Sequence, residues 1–448
     1  MRLSRAAALR KHDADREILR LALPALGALV AEPLFLLADT AIVGRLGTPE
    51  LAGMGIAATV LATFVNLSIF LAYGTTAAVA RLLGAADLRG AMRQGLDGCW
   101  LAVLIGGGTL VLGLPLTPRI VALFNPAPEV AVHAETYLRI SLAGIPAMLL
   151  VLAATGVLRG LQDTRTPLVV AGTGAAVNVP LNLVLVHGAG LGIAGSAIGT
   201  VVIQTAMAAV FVVIVGRGAR LHGASLRPHW PGVRRSFGAG VPLLIRTLAM
   251  RVAFIVTTLV ATALGTAPLA AHQVVFNTWL LLALVLDAVA IAAQALVGRE
   301  LGAGDATSAR SITRRMVQWG VFAGIVLGVI LLAAGSVYAR LFTTDAEVRG
   351  LVVSALIVAA VLQPIAGWVF VLDGVLIGAG DGRYLAWASA ASVAVFLPMA
   401  WAVLVLDLSQ QAGLVALWIA IGIWTFARAA TLAFRERGSG WLVTGATR

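Results

Sequence analysis

Charge is scarce in this chain. Only 12% of its 448 residues are Asp, Glu, Lys or Arg, where a soluble domain carries roughly 25%. That shortage leaves too little polar surface to face water on all sides, so lipid is the expected solvent. Cysteine is scarcer still. The single Cys99 excludes an internal disulfide and fits no metal-binding pattern. No GxxxxGK[ST], HExxH or GxSxG motif occurs, and no closely spaced pair of acidic motifs. The chain is therefore not expected to be an enzyme, no cofactor is expected, and work against a gradient would draw on another ion gradient. A membrane-embedded transferase is the alternative within enzymes, and the lack of clustered acidic metal ligands argues against it. The basic N-terminus (Arg2, Arg5, Arg10, Lys11, Arg16) leads into a long apolar segment with no short apolar core and small-residue cleavage site, so a removable signal peptide is not expected.

Apolar residues are what the chain has instead. They make up 60% of it, and the mean hydropathy is +0.97. A hydrocarbon core about 30 Å thick takes about 20 helical residues to cross. Backbone groups there must bond within the segment or within a closed barrel. Stretches such as Leu101–Leu116 and Gly320–Ala334 are apolar all round, whereas barrel strands alternate. The fold class expected is all-α integral membrane, with twelve transmembrane helices. The spans fall at 18–43, 52–80, 95–116, 134–158, 167–187 and 191–215, then 236–262, 269–297, 313–335, 351–378, 384–406 and 413–434.

The two sets of six are copies of one unit, with residue n of the first matching n + 218 of the second. Leu46-Gly47-Thr48 returns as Leu264-Gly265-Thr266, and Arg81, Gly84 and Asp87 return as Arg299, Gly302 and Asp305. Gly156, Gly160 and Asp163 return as Gly374, Gly378 and Asp381; Pro24, Pro146 and Pro180 return as Pro242, Pro364 and Pro398. Matches at Gly, Pro, Asp and Arg in one ungapped register are not products of shared apolar composition. The expected organisation is an N-lobe at 1–216, a linker at 217–234 and a C-lobe at 235–448. An even number of spans per copy gives two pseudo-symmetric lobes in parallel orientation, an architecture associated with alternating access.

The net charge of +12 follows the same topology. With both termini inside, the cytoplasmic segments hold 21 of the 32 Lys+Arg residues, the opposite gaps hold four and the other seven lie within spans, Arg246 and Arg251 in span 7 among them. Positive charge on the inner side of a membrane explains this, and no nucleic-acid partner is expected. A multi-pass protein of the plasma membrane is.

Charge inside hydrocarbon is costly and commonly marks a pathway. Glu32 and Asp39 in span 1 are seven residues apart and share a helix face. Pro24 and Pro33 lie on the same span, where the missing N–H allows a bend. A bendable helix with carboxylates suits a proton-linked switch, although Asp39 is also near enough to the Gly44–Gly47 turn to be solvated or to cap it. Asn178 and Asn182 share a face of span 5 around Pro180, suited either to holding a cation or carboxylate or to plain helix adhesion. Arg246 and Arg251 in span 7 need counter-charges, for which Asp287 and Asp373 are the candidates, as a fixed pair or as one that opens during transport. His272 is expected at an interface, and Trp279, Trp319, Trp368, Trp401 and the other tryptophans mostly as interface anchors or packing, with no substrate role.

The stretch Ala38–Gly47 (ADTAIVGRLG) resembles the first-helix signature of the multidrug and toxic compound extrusion (MATE) transporters. Ala292–Gly304 (AAQALVGRELGAG) and Leu372–Asp381 (LDGVLIGAGD) resemble its DinF branch. The resemblance spans essentially the whole chain and implies a V-like pair of lobes. It implies export of organic compounds, cationic or amphipathic, in exchange for protons or sodium. On the matching positions, Asp39, Glu32, Asn178, Asn182 and Thr200 would form the ion-coupling cavity, and Pro24 would be the bend. Asn182 stands where the family commonly has aspartate, and Glu32 where it commonly has an amide. The lost helix-5 charge favours protons over a dedicated sodium site, though sodium at these residues stays open. The substrate would sit between the lobes, near Asp287, Asp373, Arg246 and Arg251. A lipid or lipid-linked precursor flippase is the alternative those arginines keep open. A monomer is expected, with the bilayer, the ion and a small organic molecule as its partners.

Overall fold

The computed structural model describes the backbone of residues 2–447 and the side chains of residues 13–447. Almost all of it is helix, and no strand occurs among the described residues. The first copy contributes α1 (Arg2–Val43), α2 (Thr48–Leu67), α3 (Phe70–Gly84), α4 (Leu88–Ala122), α5 (Pro128–Leu142) and α6 (Ile145–Gly160). It is completed by α7 (Arg165–Leu183), a π-helical turn (Val184–Gly188) and α8 (Gly192–Leu221). The second contributes α9 (Trp230–Leu264), α10 (Thr266–Gly302), α11 (Ala306–Phe342), α12 (Ala346–Gly378), α13 (Gly382–Val405) and α14 (Gln410–Arg437). Among the described residues eleven spans are long and apolar enough to cross a membrane, and there are twelve when α5 and α6, bent by 50°, count as one. The copies differ in continuity. The first interrupts its helices at Ser68–Ile69 and at Ala143–Gly144, where α10 and α12 run unbroken.

The duplication read from the sequence recurs atom by atom inside each copy. A Cβ on Gly156 would lie 2.5 Å from the Ala72 carbonyl oxygen, and one on Gly374 would lie 2.4 Å from that of Ala290. Gly160 stands against the Thr76 carbonyl as Gly378 stands against that of Gln294. Gly106 abuts Pro146, and Gly324 abuts Gln363 and Pro364. Every one of these pairs obeys the n + 218 register. Close backbone approach through small residues is how helices associate where water supplies no hydrophobic drive, which is why glycine holds these positions in both copies. The caps repeat as well. The Asp87 carboxylate accepts from the Gly90 N–H at 2.7 Å, and that of Asp305 accepts from the Ser308 N–H at 2.8 Å. The Ser308 bonds hold the exposed Asp305 carboxyl below the usual range.

The chain forms two compact units, one of Leu23–Val241, the other joining the residues up to Ala22 to Pro242–Ala446. This division departs from the 1–216, 217–234 and 235–448 boundaries at two places, each for a visible reason. The start of α1 is fastened to the second copy: Arg315 grips both Asp15 oxygens at 2.6 Å, the Trp319 indole donates to Asp15 at 2.8 Å, and Arg299 donates to Glu17 at 2.6 Å. The linker is fastened to the first copy. Trp100 donates to the Leu226 carbonyl at 3.0 Å, Gln94 to Ser236 at 2.9 Å, and His229 lies 3.6 Å from the buried Asp97 carboxylate.

A side chain at Gly367, whose Cβ would lie 2.0 Å from the Gly320 carbonyl, overpacks the α11–α12 contact. Gly367→Val is expected to cost about 1–3 kcal/mol or more and to lower the thermal midpoint in detergent. Gly107→Ala, which faces open space, should leave the midpoint unchanged or raise it slightly.

Candidate functional site

Asp39 approaches the end of α1 and is almost entirely buried, at 1% exposure. Its surroundings come from three other helices. α7 supplies Asn178 and Asn182, one turn apart and both buried; α8 supplies Thr200 and Ser196; α5 supplies Tyr137. The Asn182 amide donates to Asp39 Oδ1 and also to Asn178 Oδ1 at 3.0 Å, while the Thr200 hydroxyl donates to Asp39 Oδ2 at 3.3 Å. Local sequence explains how α7 delivers the amides. Pro180 removes one helical N–H between them, and the π-helical turn begins just after Asn182. Such wide turns cluster at functional sites. Gly199 leaves room opposite, since a Cβ there would fall 1.8 Å from Asn182 Oδ1.

The carboxylate thus faces neutral donors. Among the described residues no arginine, lysine or histidine pairs with it. Asn182 Oδ1 and Asn178 Nδ2, both buried, have no partner among the described residues. The cluster therefore has hydrogen-bonding capacity in reserve.

Of the five ion-coupling residues expected from the sequence, Asp39, Asn178, Asn182 and Thr200 come together. Glu32 does not: its side chain is exposed and takes no part in the cluster. Pro24 lies within an unbroken α1, two residues past the boundary between the compact units. Tyr137 and Ser196 were not anticipated, because neither lies in a motif and only the packing of α5 and α8 against α1 reveals them.

The second copy holds a different polar centre. Asp373 on α12 accepts from Arg246 on α9 through both Nε and Nη2, and from Arg428 Nη2 on α14 at 2.7 Å. All three are buried. The expected Arg246–Asp373 pairing is thus present. Its third member is Arg428; Arg251 is half-buried and makes no ion pair among the described residues, and Asp287 is half-buried on α10. Arg428 was missed because its place near the end of span 12 matches the inner-side arginines. His272, expected at an interface, is instead fully buried. It stacks on Phe276 with centroids 5.6 Å apart and lies 5.8 Å from the Trp418 ring.

A duplicated bundle of membrane-crossing helices with charged groups buried in each copy has the makings of a transporter. The MatE family profile matches residues 24–184 and 242–402, one match per copy, and the chain belongs to that family of membrane transporters. It is 31% identical over 385 residues to Protein DETOXIFICATION 44, chloroplastic, of Arabidopsis thaliana, covering 83% of this chain and 73% of the relative. It is 27% identical over 430 residues to DNA damage-inducible protein F of Escherichia coli, covering 94% and 92%. Among solved structures, the Vibrio cholerae MATE transporter VcmN superposes with a TM-score of 0.87 at 18% identity, over 96% of this chain and 99% of that one.

Removing Asp373's charge would leave two buried guanidinium groups facing each other. Asp373→Asn is expected to destabilise the protein by about 3–5 kcal/mol, read as a lower thermal midpoint. Arg251→Gln should leave that midpoint nearly unchanged.

Proposed function

We propose that the protein extrudes an amphipathic organic compound in exchange for protons, and that Asp39 is the group that takes up the proton. The observation that carries this reading is a buried carboxylate surrounded by an amide, a hydroxyl and no cation. An ionised carboxylate in such surroundings is costly unless its donors are well placed, and a proton removes the charge. Asn182 presents its N–H to Asp39, an arrangement matched to the ionised form. Once protonated, Asp39 becomes a donor, and the unpartnered Asn182 Oδ1 is the acceptor that a rotation of the amide would offer. The two protonation states thus favour two arrangements of α1 against α7.

The same geometry speaks against sodium as the coupling ion. A hard cation wants several oxygens directed inward. Here Asp39 is the one carboxylate in the cluster, and Asn182 turns its nitrogen toward it. The arginines concentrated on one side of the spans support a plasma-membrane orientation with both termini in the cytoplasm.

Asp39→Asn, reconstituted in vesicles, should lose pH-gradient-driven efflux at least tenfold while its abundance and thermal midpoint stay normal. An imposed sodium gradient alone should drive no efflux in the wild type. Undiminished pH-driven efflux by Asp39→Asn would remove that residue from the mechanism.

A further inference from the structure

The repeat register relates the Asp39 cluster to a definite place in the second copy. Adding 218 to Asp39, Asn178 and Thr200 gives Thr257, Phe396 and Trp418. The acid has become a hydroxyl, the amide and the hydroxyl have become rings, and none of the three can titrate. That place is not filled solid. Thr257 and Trp418 line a narrow cleft with a cavity volume of about 30 Å³, room for water and short of a ring. Its walls are Phe254, Phe276, Trp279, Trp418 and Trp424, and Arg428 lines it as well. The rings meet edge-on or tilted: Phe254 lies 5.2 Å from Phe276 and 5.5 Å from Trp424, and Trp279 lies 6.0 Å from Trp418.

The polar groups around this cleft are mainly donors. The indole N–H groups of Trp418 and Trp424 are buried and have no acceptor among the described residues. Arg428 carries five N–H bonds and uses only Nη2, toward Asp373. The hydroxyls of Thr257 and Thr425 already donate to carbonyls of their own helices. No Asp or Glu lines the cleft, and the nearby Asp373 is shared by two arginines. A cation entering here would meet the Arg428 charge and no free carboxylate. Even the Trp424 face, which attracts cations, has the Arg428 guanidinium 5.8 Å from its centroid.

We propose that this cleft of the second copy binds an aromatic compound bearing a carboxylate, with its ring among the aromatic walls and its anionic group on Arg428 and the indole N–H donors. This names the substrate class for the extrusion reading above and rests on it. It turns the expected charge of the substrate from positive to negative. Each copy then keeps one half of an exchange: the first holds the titrating acid, and the second, in the equivalent register, holds the organic anion. Seating a ring requires the walls to part, which aromatic side chains in a narrow cleft do by rotating about χ1 and χ2.

The test uses three ligands with one ring and three charges: indole-3-acetate, indole-3-acetamide and tryptamine. Each is titrated calorimetrically against the full chain in nanodiscs. Indole-3-acetate is expected to bind at least tenfold more tightly than the amide, with tryptamine weakest. Arg428→Gln should erase the advantage of the acid. Because Arg428 also holds Asp373, its loss can compromise folding, so a Trp418→Phe, Trp424→Phe double variant provides a second reading. That variant keeps the rings, drops both N–H donors and should weaken indole-3-acetate at least fivefold with an unchanged thermal midpoint. Equal affinities, a preference for tryptamine, no binding at all, or undiminished binding by the double variant would overturn the proposal. Asp39→Asn separates the two readings. It should bind indole-3-acetate like the wild type while losing pH-driven efflux, so retained efflux in that variant overturns the coupling role alone.

Discussion

Hydrocarbon does not tolerate a lone charge, and the buried ionisable groups of this protein are arranged by that constraint. Two buried acids have a charged or basic neighbour: Asp97 lies 3.6 Å from His229, and Asp373 accepts from two guanidinium groups. Asp39 is the exception in kind. Its shell is neutral, built from an amide and a hydroxyl, so its charge is not cancelled by any fixed partner. A paired charge is held in place by its partner. A charge held only by dipoles can be removed by a proton without leaving an orphaned cation behind. The difference separates the ion-paired centre of one copy from the dipole-held acid of the other.

The duplication makes this contrast legible. Backbone contacts that set helix spacing, such as Gly156 on Ala72 and Gly374 on Ala290, are kept in both copies, because any side chain there would push helices apart. Side chains that face the centre of each copy have diverged freely. Glycines and caps thus preserve the scaffold while the equivalent pockets carry opposite chemistry, an acid in one and rings with an arginine in the other.

Much of this was readable from the amino acids alone. Span number, the n + 218 register and the gathering of Asp39, Asn178, Asn182 and Thr200 follow from hydropathy, from repeated Gly and Pro, and from resemblance to a known family. What escaped was contact between distant segments. Arg428 reads as one more inner-side arginine until α14 is laid beside α12. Glu32 shares a helix face with Asp39 by spacing, yet seven residues of rise, about 10 Å, carry it out of the cluster. The first turns of α1 belong by sequence to the first copy, and only Arg315, Trp319 and Arg299 reveal that they pack with the second. The helix interruption at Ser68–Ile69 carries no proline or glycine, whereas that at Ala143–Gly144 has Gly144 where the unbroken copy has Leu362, with Pro146 and Pro364 in the same register.

The π-helical turn closing α7 stores slack. Each residue of such a turn reaches five places back rather than four, so the segment holds one residue more than the α form would need over the same rise. Tightening it would turn the two asparagines about a quarter-revolution relative to the chain that follows, and the glycines at 188, 190 and 192 could take up the surplus, two of them already at positive φ.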